Sequence, residues 1–367
     1  MTNVAENNGE ASGRHRRGDW LPSASAPPMP APGPRPRRKG RRRVLFGASV
    51  LATVAVASVV VAAPWNNPWA GDPLGNTRFF VDPYSQAKQA AAASSTDAAR
   101  ASLLGKIAGQ PTGTWLGAEI APPAVRDVVR NVLREAAAQR AVPLFVLYAF
   151  PFRGCTGNGD QGAVSATAAG YQQWIEQVAL GIGTSKAVVV VEPDALAQYV
   201  TLNCLTAGQQ AFRLAVLRAA VARLAKLPHA VVYLDAGNAR WQPVPLMARL
   251  LRAAGVLTAR GFALNVSNFD PTSAEASYGD QLSARLDNAH FVIDTSRNGA
   301  GSPPQSWCNP PGQALGLPPT ADTPDPRVDA WLWIKPPGFS DGTCGGGPPA
   351  GTFWSAYAIS LAASAPW

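Results

Sequence analysis

A parallel α/β barrel is the fold predicted for residues 73–367, on three observations. Short, continuous apolar runs recur along this stretch. Amphipathic stretches of helical period alternate with them, and polar residues stand at corresponding places just after the runs. A run that is apolar throughout suits a strand covered on both faces, as in a parallel sheet flanked by helices. Seven or eight such units are enough to close a sheet into a barrel.

Taken in order, strands are expected over 79–81, 114–116, 144–148, 187–191, 230–234, 262–266, 291–293 and 331–334. Helices are expected over 123–139, 167–180, 207–225, 244–253 and 274–286, each between two of the runs. Apolar residues make up 47% of the chain, enough for a sizeable core. Eleven tryptophans exceed what one core needs, and surface Trp is a common way to hold flat ligands.

Ahead of this domain, residues 1–43 are rich in Pro, Ala and Arg and predict a disordered tail. The tail ends on Arg37-Arg38-Lys39 and Arg41-Arg42-Arg43, and an uncharged apolar run follows over 44–63. A helix of that length spans ~30 Å, about the hydrocarbon thickness of a bilayer. Basic residues before the run keep the N-terminus in the cytoplasm. The domain is therefore expected outside the cell, membrane-anchored or secreted. Small residues at Ala62 and Ala63 suit cleavage; the long basic region, the long run and Pro64 favour an uncleaved anchor. Residues 64–72, with Trp65, Pro68 and Trp69, form a linker.

The net charge of +9 does not indicate nucleic-acid binding. Ten Arg/Lys and three Asp/Glu lie in residues 1–43, which leaves +2 for the rest, whereas a nucleic-acid footprint belongs on the folded domain. The cysteines are Cys155, Cys204, Cys308 and Cys344, with no CxxC pair to suggest zinc. In an exported protein they read as two disulfides, with three connectivities open. No metal or nucleotide motif is evident, so no cofactor is expected, and the domain is expected to be monomeric.

The polar groups show what the barrel is for. Glu192 and Asp194 follow one apolar run, Asp235 and Asn238 the next, then Asn265 and Asn268, then Asp294, Ser296 and Arg297, then Lys335 and Asp341. Strand C-terminal ends converge on one face of a barrel, where active sites are built. A carboxylate-rich cleft with aromatics suits glycoside hydrolysis, in which one carboxyl protonates the leaving oxygen and water attacks the other face. Each residue alone has a plainer reading: Glu192 and Asp194 as helix caps, Asp235 as a turn residue, Arg297 and Lys335 as surface charges, Trp115, Trp241, Trp307 and Trp331 as core. Their joint arrangement is what favours a site.

Six ordered strings carry a family resemblance: Phe80-Val81-Asp82-Pro83, Val190-Val191-Glu192-Pro193-Asp194, Tyr233-Leu234-Asp235-Ala236-Gly237, Asn265-Val266-Ser267-Asn268, Trp307-Cys308-Asn309, and Lys335-Pro336-Pro337-Gly338 with Asp341-Gly342. Over residues 73–367 the chain resembles glycoside hydrolase family 6. The resemblance implies a distorted (β/α) barrel of seven or so parallel strands with its cleft at their C-terminal ends, and inverting cleavage of β-1,4-glucan. By position, Asp194 matches the proton donor, Asp341 the proposed base, and Asp235 a carboxylate that helps set the donor's ionisation. Tyr148, Trp115, Trp241, Asn265, Trp307 and Lys335 match sugar-binding positions. The resemblance pairs Cys155 with Cys204 and Cys308 with Cys344. Short loops suggest an open, endo-acting cleft.

Three positions depart from the family pattern. Gly117 stands where the family usually has Asp in Trp-Leu-Asp, Gly154 where it has Asp in Arg-Asp-Cys, and Phe339 where it usually has Glu. The Asp missing at Gly154 neighbours the donor, and a nearby carboxylate raises an acid's pKa by like-charge repulsion. Asp160, in the Gly-rich loop that follows, is the acid near enough in sequence to replace it. An impaired glucan-binding surface protein, or a hydrolase of shifted β-glucan specificity, is the alternative expectation. Export is directly testable: protease added to intact cells should remove the domain, and full protection with the domain in the cytosol would refute export.

Overall fold

The computed structural model describes residues 71–151, 167–201, 205–303 and 307–367. The expected membrane segment 44–63, the basic tail and the Gly154 loop lie outside them. Among the described residues no helix is long and apolar enough to cross a membrane.

Seven strands, β1 (Thr114–Gly117), β2 (Leu144–Tyr148), β3 (Ala187–Val191), β4 (Ala230–Asp235), β5 (Gly261–Leu264), β6 (His290–Asp294) and β7 (Val328–Leu332), lie side by side in chain order. Every neighbouring pair is parallel. Helices α3 (Pro122–Ala138), α4 (Ala168–Ile182), α6 (Ala207–Leu224), α7 (Val244–Ala253) and α8 (Thr272–Ser283) make the crossovers, and a short α5 (Gln198–Thr201) follows β3. The β3 run Ala-Val-Val-Val-Val explains the arrangement. β-Branched residues favour the extended chain, and period-two alternation sends them to opposite faces. Val189 and Val191 pack outward with Phe145, Leu147, Val178 and Leu217. Val188 and Val190 pack inward with Val146, Val231, Tyr233 and Val292. Both faces are dry, which is why the strands read as unbroken apolar runs.

The sheet is curled into a half-barrel. Its edge strands β1 and β7 are joined by single bonds rather than a ladder. The Gly113 N–H donates to the Trp333 carbonyl and the Trp115 indole N–H to the Ile334 carbonyl, each at 2.9 Å. Helices α1 (Gln86–Ala93), α2 (Ala98–Ala108) and α9 (Ser355–Ala363) form a separate apolar cluster with Leu315 and Trp333. Inside the barrel, the Asp329 carboxylate takes two 2.7 Å bonds from Arg260, one of 2.6 Å from the Tyr233 hydroxyl, and a 2.9 Å contact with His290 Nδ1. Burial works to raise the Asp329 carboxyl, but these partners outweigh it and hold it low. The network ties β4, β6 and β7 to the start of β5.

Several expected elements differ. The first expected strand is a single parallel bridge from Phe79 to Val142. The last begins earlier, at Val328, and ends at Leu332, because the N–H groups of Ile334 and Lys335 turn to the Asp294 carboxylate. β5 ends at Leu264 because Asn265 takes left-handed backbone, φ 64°. Helices α1, α2 and α9 have no counterpart in the sequence reading.

Gly261 marks the tightest strand contact. A methyl group on its Cα would fall 1.7 Å from the His290 carbonyl oxygen of β6. Overpacking of a rigid core typically costs about 1–3 kcal/mol and occasionally more. Gly261→Ala should therefore lose at least that much stability in urea unfolding; a midpoint equal to the parent's would contradict the contact.

Candidate active site

The strand ends are organised by buried carboxylates. Glu192, just past β3, is fully buried and accepts the N–H groups of Ala149 and Phe150, after β2, at 3.0 and 3.1 Å. The Tyr171 hydroxyl donates to it at 2.9 Å. Asp235, ending β4, accepts the N–H groups of Asp194 and Gly237 through one oxygen, each at 3.0 Å. Asp294, ending β6, accepts the N–H groups of Ser267 (3.1 Å), Ser296 (2.9 Å), Ile334 (3.3 Å) and Lys335 (3.0 Å). Burial pushes the Asp294 carboxyl up, against the hydrogen bonds from Ser296, Lys335 and Ser267. Glu192, Asp194, Asn265 and Ser267 all have positive φ, between 52° and 72°. Such backbone is uncommon outside glycine and gathers at functional sites.

Asp194 lies half-buried on the wall of an open cleft of about 640 Å³. Gln198 and Thr201 of α5, Asn238 and Trp241 after β4, Ser267 to Asp270 after β5, Trp307 and Asp341 also line it. The loop after Asp194 is pinned from behind, the Ala195 carbonyl accepting from Arg213 at 2.8 Å and the Ala197 carbonyl from Gln242 at 2.7 Å. Trp307 is 67% exposed and Trp241 is half-buried, so both offer rings to the cleft.

Asp341 sits in a different electrostatic setting. Arg297, fully buried, donates to Asp341 Oδ2 at 2.8 Å and to the Ser267 carbonyl, and its guanidinium lies 4.3 Å from the Phe269 ring centre. Lys335 Nζ is 3.5 Å from Asp341 Oδ1. Asn309 closes the pairing, its amide oxygen accepting the Asp341 N–H at 2.8 Å while its own N–H donates back to the carboxylate at 3.1 Å. Burial works to raise the Asp341 carboxyl, yet Arg297 and Lys335 outweigh it and hold it below the usual carboxylate range. Burial and the Arg297 charge lower Lys335. The Cys308–Cys344 disulfide joins the two loops that carry Asn309 and Asp341. Cys155, Cys204, Gly154 and Asp160 lie outside the described residues.

The structure thus brings Asp194, Trp241, Trp307 and Asp341 to one cleft, with Asp235 behind Asp194. Trp115 and Tyr148 meet edge to face, ring centres 5.1 Å apart, and Lys335 Nζ lies 5.4 Å from the Trp115 ring centre. Asn265 is held by the backbone around it. It is fully buried, and its amide is spent on the Asp270 N–H and on the carbonyls of Asp270 and Asp294. Phe339 turns to Phe353, ring centres 5.6 Å apart. The sequence reading placed Asp294 among the strand-end groups of the cleft and gave no role to Glu275, and its plainer reading of Arg297 as a surface charge fails because the side chain is fully buried. The available signal for Glu275 was an acid three residues before Tyr278, on the buried side of α8. Among the described residues no group of three or more His, Cys, Asp or Glu is placed to hold a metal ion. A half-buried carboxyl, a second one held below the usual carboxylate range and the rings of Trp241 and Trp307 thus line the same cleft.

Comparison with known proteins agrees with this geometry. Residues 74–365 match the Glycosyl hydrolases family 6 profile. Endoglucanase A of Cellulomonas fimi is 42% identical over 296 residues, 80% of this chain and 63% of that protein. Endoglucanase A of Thermobispora bispora is 40% identical over 305 residues, 82% of this chain and 65% of that protein. The chain therefore spans somewhat under two thirds of these relatives. The endoglucanase Cel6 of Mycobacterium tuberculosis, solved with methyl-cellobiosyl-4-deoxy-4-thio-β-D-cellobioside, superposes with a TM-score of 0.75 at 45% identity, over 80% of this chain and 99% of that one. Endoglucanase CEL6B of Humicola insolens superposes with a TM-score of 0.69 at 26% identity, over 80% and 99%.

Glu275 gives the site a measurable pH dependence. It is fully buried on α8, accepts the Ala239 N–H at 2.9 Å, and has no partner for its other oxygen. Burial first, then the Asp270 and Asp235 charges, raise it from the ordinary 4.5 to about 8. Between those values the folded chain keeps a proton that the unfolded chain releases. Stability therefore falls as pH rises from about 4.5, and the loss is complete above about 8. The effect is on the order of 3–5 kcal/mol. Glu275→Gln should unfold at a higher temperature than the parent at pH 8.5, with the difference vanishing near pH 4; a pH-independent difference would contradict the assignment.

Proposed function

The chain belongs to glycoside hydrolase family 6, and from that membership and the site's geometry we propose that it hydrolyses β-1,4-glucosidic bonds of cellulose or a related β-glucan, with inversion and by internal cleavage. Asp194 is the general acid, on the wall of the cleft with its backbone fixed by Asp235. The observation that carries the reading is the placement of Asp194 and Asp341 on one cleft, with Arg297 and Lys335 on the Asp341 carboxylate. Arg297 and Lys335 hold the Asp341 carboxyl below the usual carboxylate range. Inversion needs one protonated carboxyl and one carboxylate at the same time. Asp341 is then the carboxylate that orients and deprotonates the attacking water. Trp241 and Trp307 supply rings for the flat faces of glucosyl units. The endoglucanase relatives support internal cleavage. An N-terminal membrane anchor and an extracellular site of action belong to the same proposal and rest on the sequence pattern of residues 37–63.

Protonating the leaving oxygen is commonly worth about 10²–10⁴-fold. Asp194→Asn should lose that much turnover on unactivated β-glucan while still binding cello-oligosaccharides. With the parent, proton NMR of the first products should show the α-anomer before mutarotation. Hydrolysis by Asp194→Asn at the parent rate would remove Asp194 from the acid role, and a β-anomer would remove inversion. Binding by the parent without any turnover would favour a glucan-binding surface protein.

A further inference from the structure

Gly117, the last residue of β1, has a distinctive neighbour. A side chain there would collide with the Glu119 carboxyl: a Cβ on Gly117 would fall 2.1 Å from Glu119 Oε2 and 2.7 Å from Oε1 and Cδ. The turn that follows β1 explains this. The Ile120 N–H donates to the Gly117 carbonyl at 3.2 Å, folding residues 117–120 back so that the exposed Glu119 side chain lies over the glycine. The carboxyl occupies space that is open only because residue 117 has no side chain.

Strand alternation shows which face that space belongs to. Leu116 packs in the outer core, and Trp115 packs against the inner one. Gly117, two residues on, shares the face of Trp115. On β2, Val146 lies in the inner core, so Tyr148 shares its face, and Gly117 is the register partner of Tyr148. The Trp115–Tyr148 ring pair and the Lys335 ammonium over Trp115 stand on this same face. We propose that Glu119 is a substrate-contacting, specificity-determining residue whose carboxylate, filling the place left empty at Gly117, accepts hydrogen bonds from the hydroxyls of a glucosyl unit held beside Trp115, Tyr148 and Lys335. The aromatic rings supply a stacking surface, Lys335 a donor, and Glu119 the acceptor that this face otherwise lacks at β1. A carboxylate accepts from two neighbouring sugar hydroxyls at once, and charge-assisted hydrogen bonds are roughly twice as strong as neutral ones. The position is the one where the family motif carries Asp, so the acceptor is displaced by two residues in the chain.

This inference rests on the proposed glucan reading, and its test separates the two. Hydrolysis of cellohexaose is measured for the parent, Glu119→Ala, Glu119→Gln, and the double variant Gly117→Asp with Glu119→Ala. Gly117 does not take left-handed backbone, and the atoms nearest a side chain there all belong to Glu119. Loss of a charge-assisted hydrogen bond lowers affinity roughly 10-fold or more. Glu119→Ala should raise KM by about that factor with unchanged melting temperature. Glu119→Gln should fall between parent and Glu119→Ala, and Gly117→Asp should restore most of the lost affinity. An unchanged KM for Glu119→Ala, or no recovery in the double variant, overturns the proposal while leaving the hydrolase reading intact. If the parent does not turn over cellohexaose, the hydrolase reading fails, and calorimetric binding of cellohexaose to the same variants decides. The same loss and recovery support Glu119; no difference between variants, or no binding by the parent, overturns it.

Discussion

Three buried carboxylates, at the ends of β3, β4 and β6, hold the site face together. Each reaches back to the loop that leaves an earlier strand: Glu192 to the loop after β2, Asp235 to that after β3, and Asp294 to that after β5. Two of these loops leave their strands through left-handed residues, Glu192 and Asp194 after β3, Asn265 and Ser267 after β5. Such backbone costs about 1–3 kcal/mol per residue. A hydrogen bond to a charged group contributes about 1.5–3 kcal/mol. The two are of one size, so a strand-end carboxylate is sufficient to hold a conformation that the chain would otherwise leave. Asp194 shows the consequence most directly. Its φ of 72° directs it to the cleft, and its N–H is bonded to a carboxylate of the neighbouring strand. The placement of the candidate acid thus depends on the β4 end as much as on its own strand.

The half-barrel's open seam bears on the other side of the site. Between β1 and β7 there is no ladder, only the Gly113 and Trp115 bonds to the chain beyond β7. The same stretch of chain leads into Lys335 and Asp341. Trp115 therefore has two roles: its indole nitrogen holds the seam, and its ring carries the Lys335 ammonium and meets Tyr148. A residue shared in this way couples the closing of the barrel to the shape of the cleft. The terminal helices α1, α2 and α9, packed with Trp333, keep that stretch dry.

What the sequence made legible follows from the same physics. Strands β2, β3 and β4 were readable to within a residue because both faces are apolar and the runs are bounded sharply by polar residues. Helices α1, α2 and α9 were not, because they are rich in Ala and small residues, with little contrast between faces; the caps at Ser85 and Asp97 were the available signs. Polar residues at strand ends pointed to the right face of the barrel, yet the sequence does not distinguish a residue that faces the cleft from one spent on backbone. Asn265 and Asp294 are of the second kind, and Asp194 and Asp341 line the cleft. Taken alone, Arg297 is open to a surface-charge reading because nothing local indicates that its partner is 44 residues away in the chain.

That long-range pairing is what sets the Asp341 carboxyl apart from an ordinary aspartate. An acid–base pair fails if both carboxyls lose their protons together. The difference is set by neighbours and not by residue type. Arg297 and Lys335 are placed on Asp341 at 2.8 and 3.5 Å, and their charges act in a buried setting, where screening by solvent is weak. The cost is borne by Lys335, whose ammonium is disfavoured by burial and by Arg297. A strongly paired carboxylate is a weak base, since its low pKa reduces the driving force for taking a proton. In exchange it stays ionised to lower pH than an ordinary aspartate. In the proposed mechanism, the pairing favours the ionised state of Asp341 over its strength as a base. That choice suits a reaction in which the sugar itself develops positive charge and a nearby carboxylate is already favourable before any proton moves.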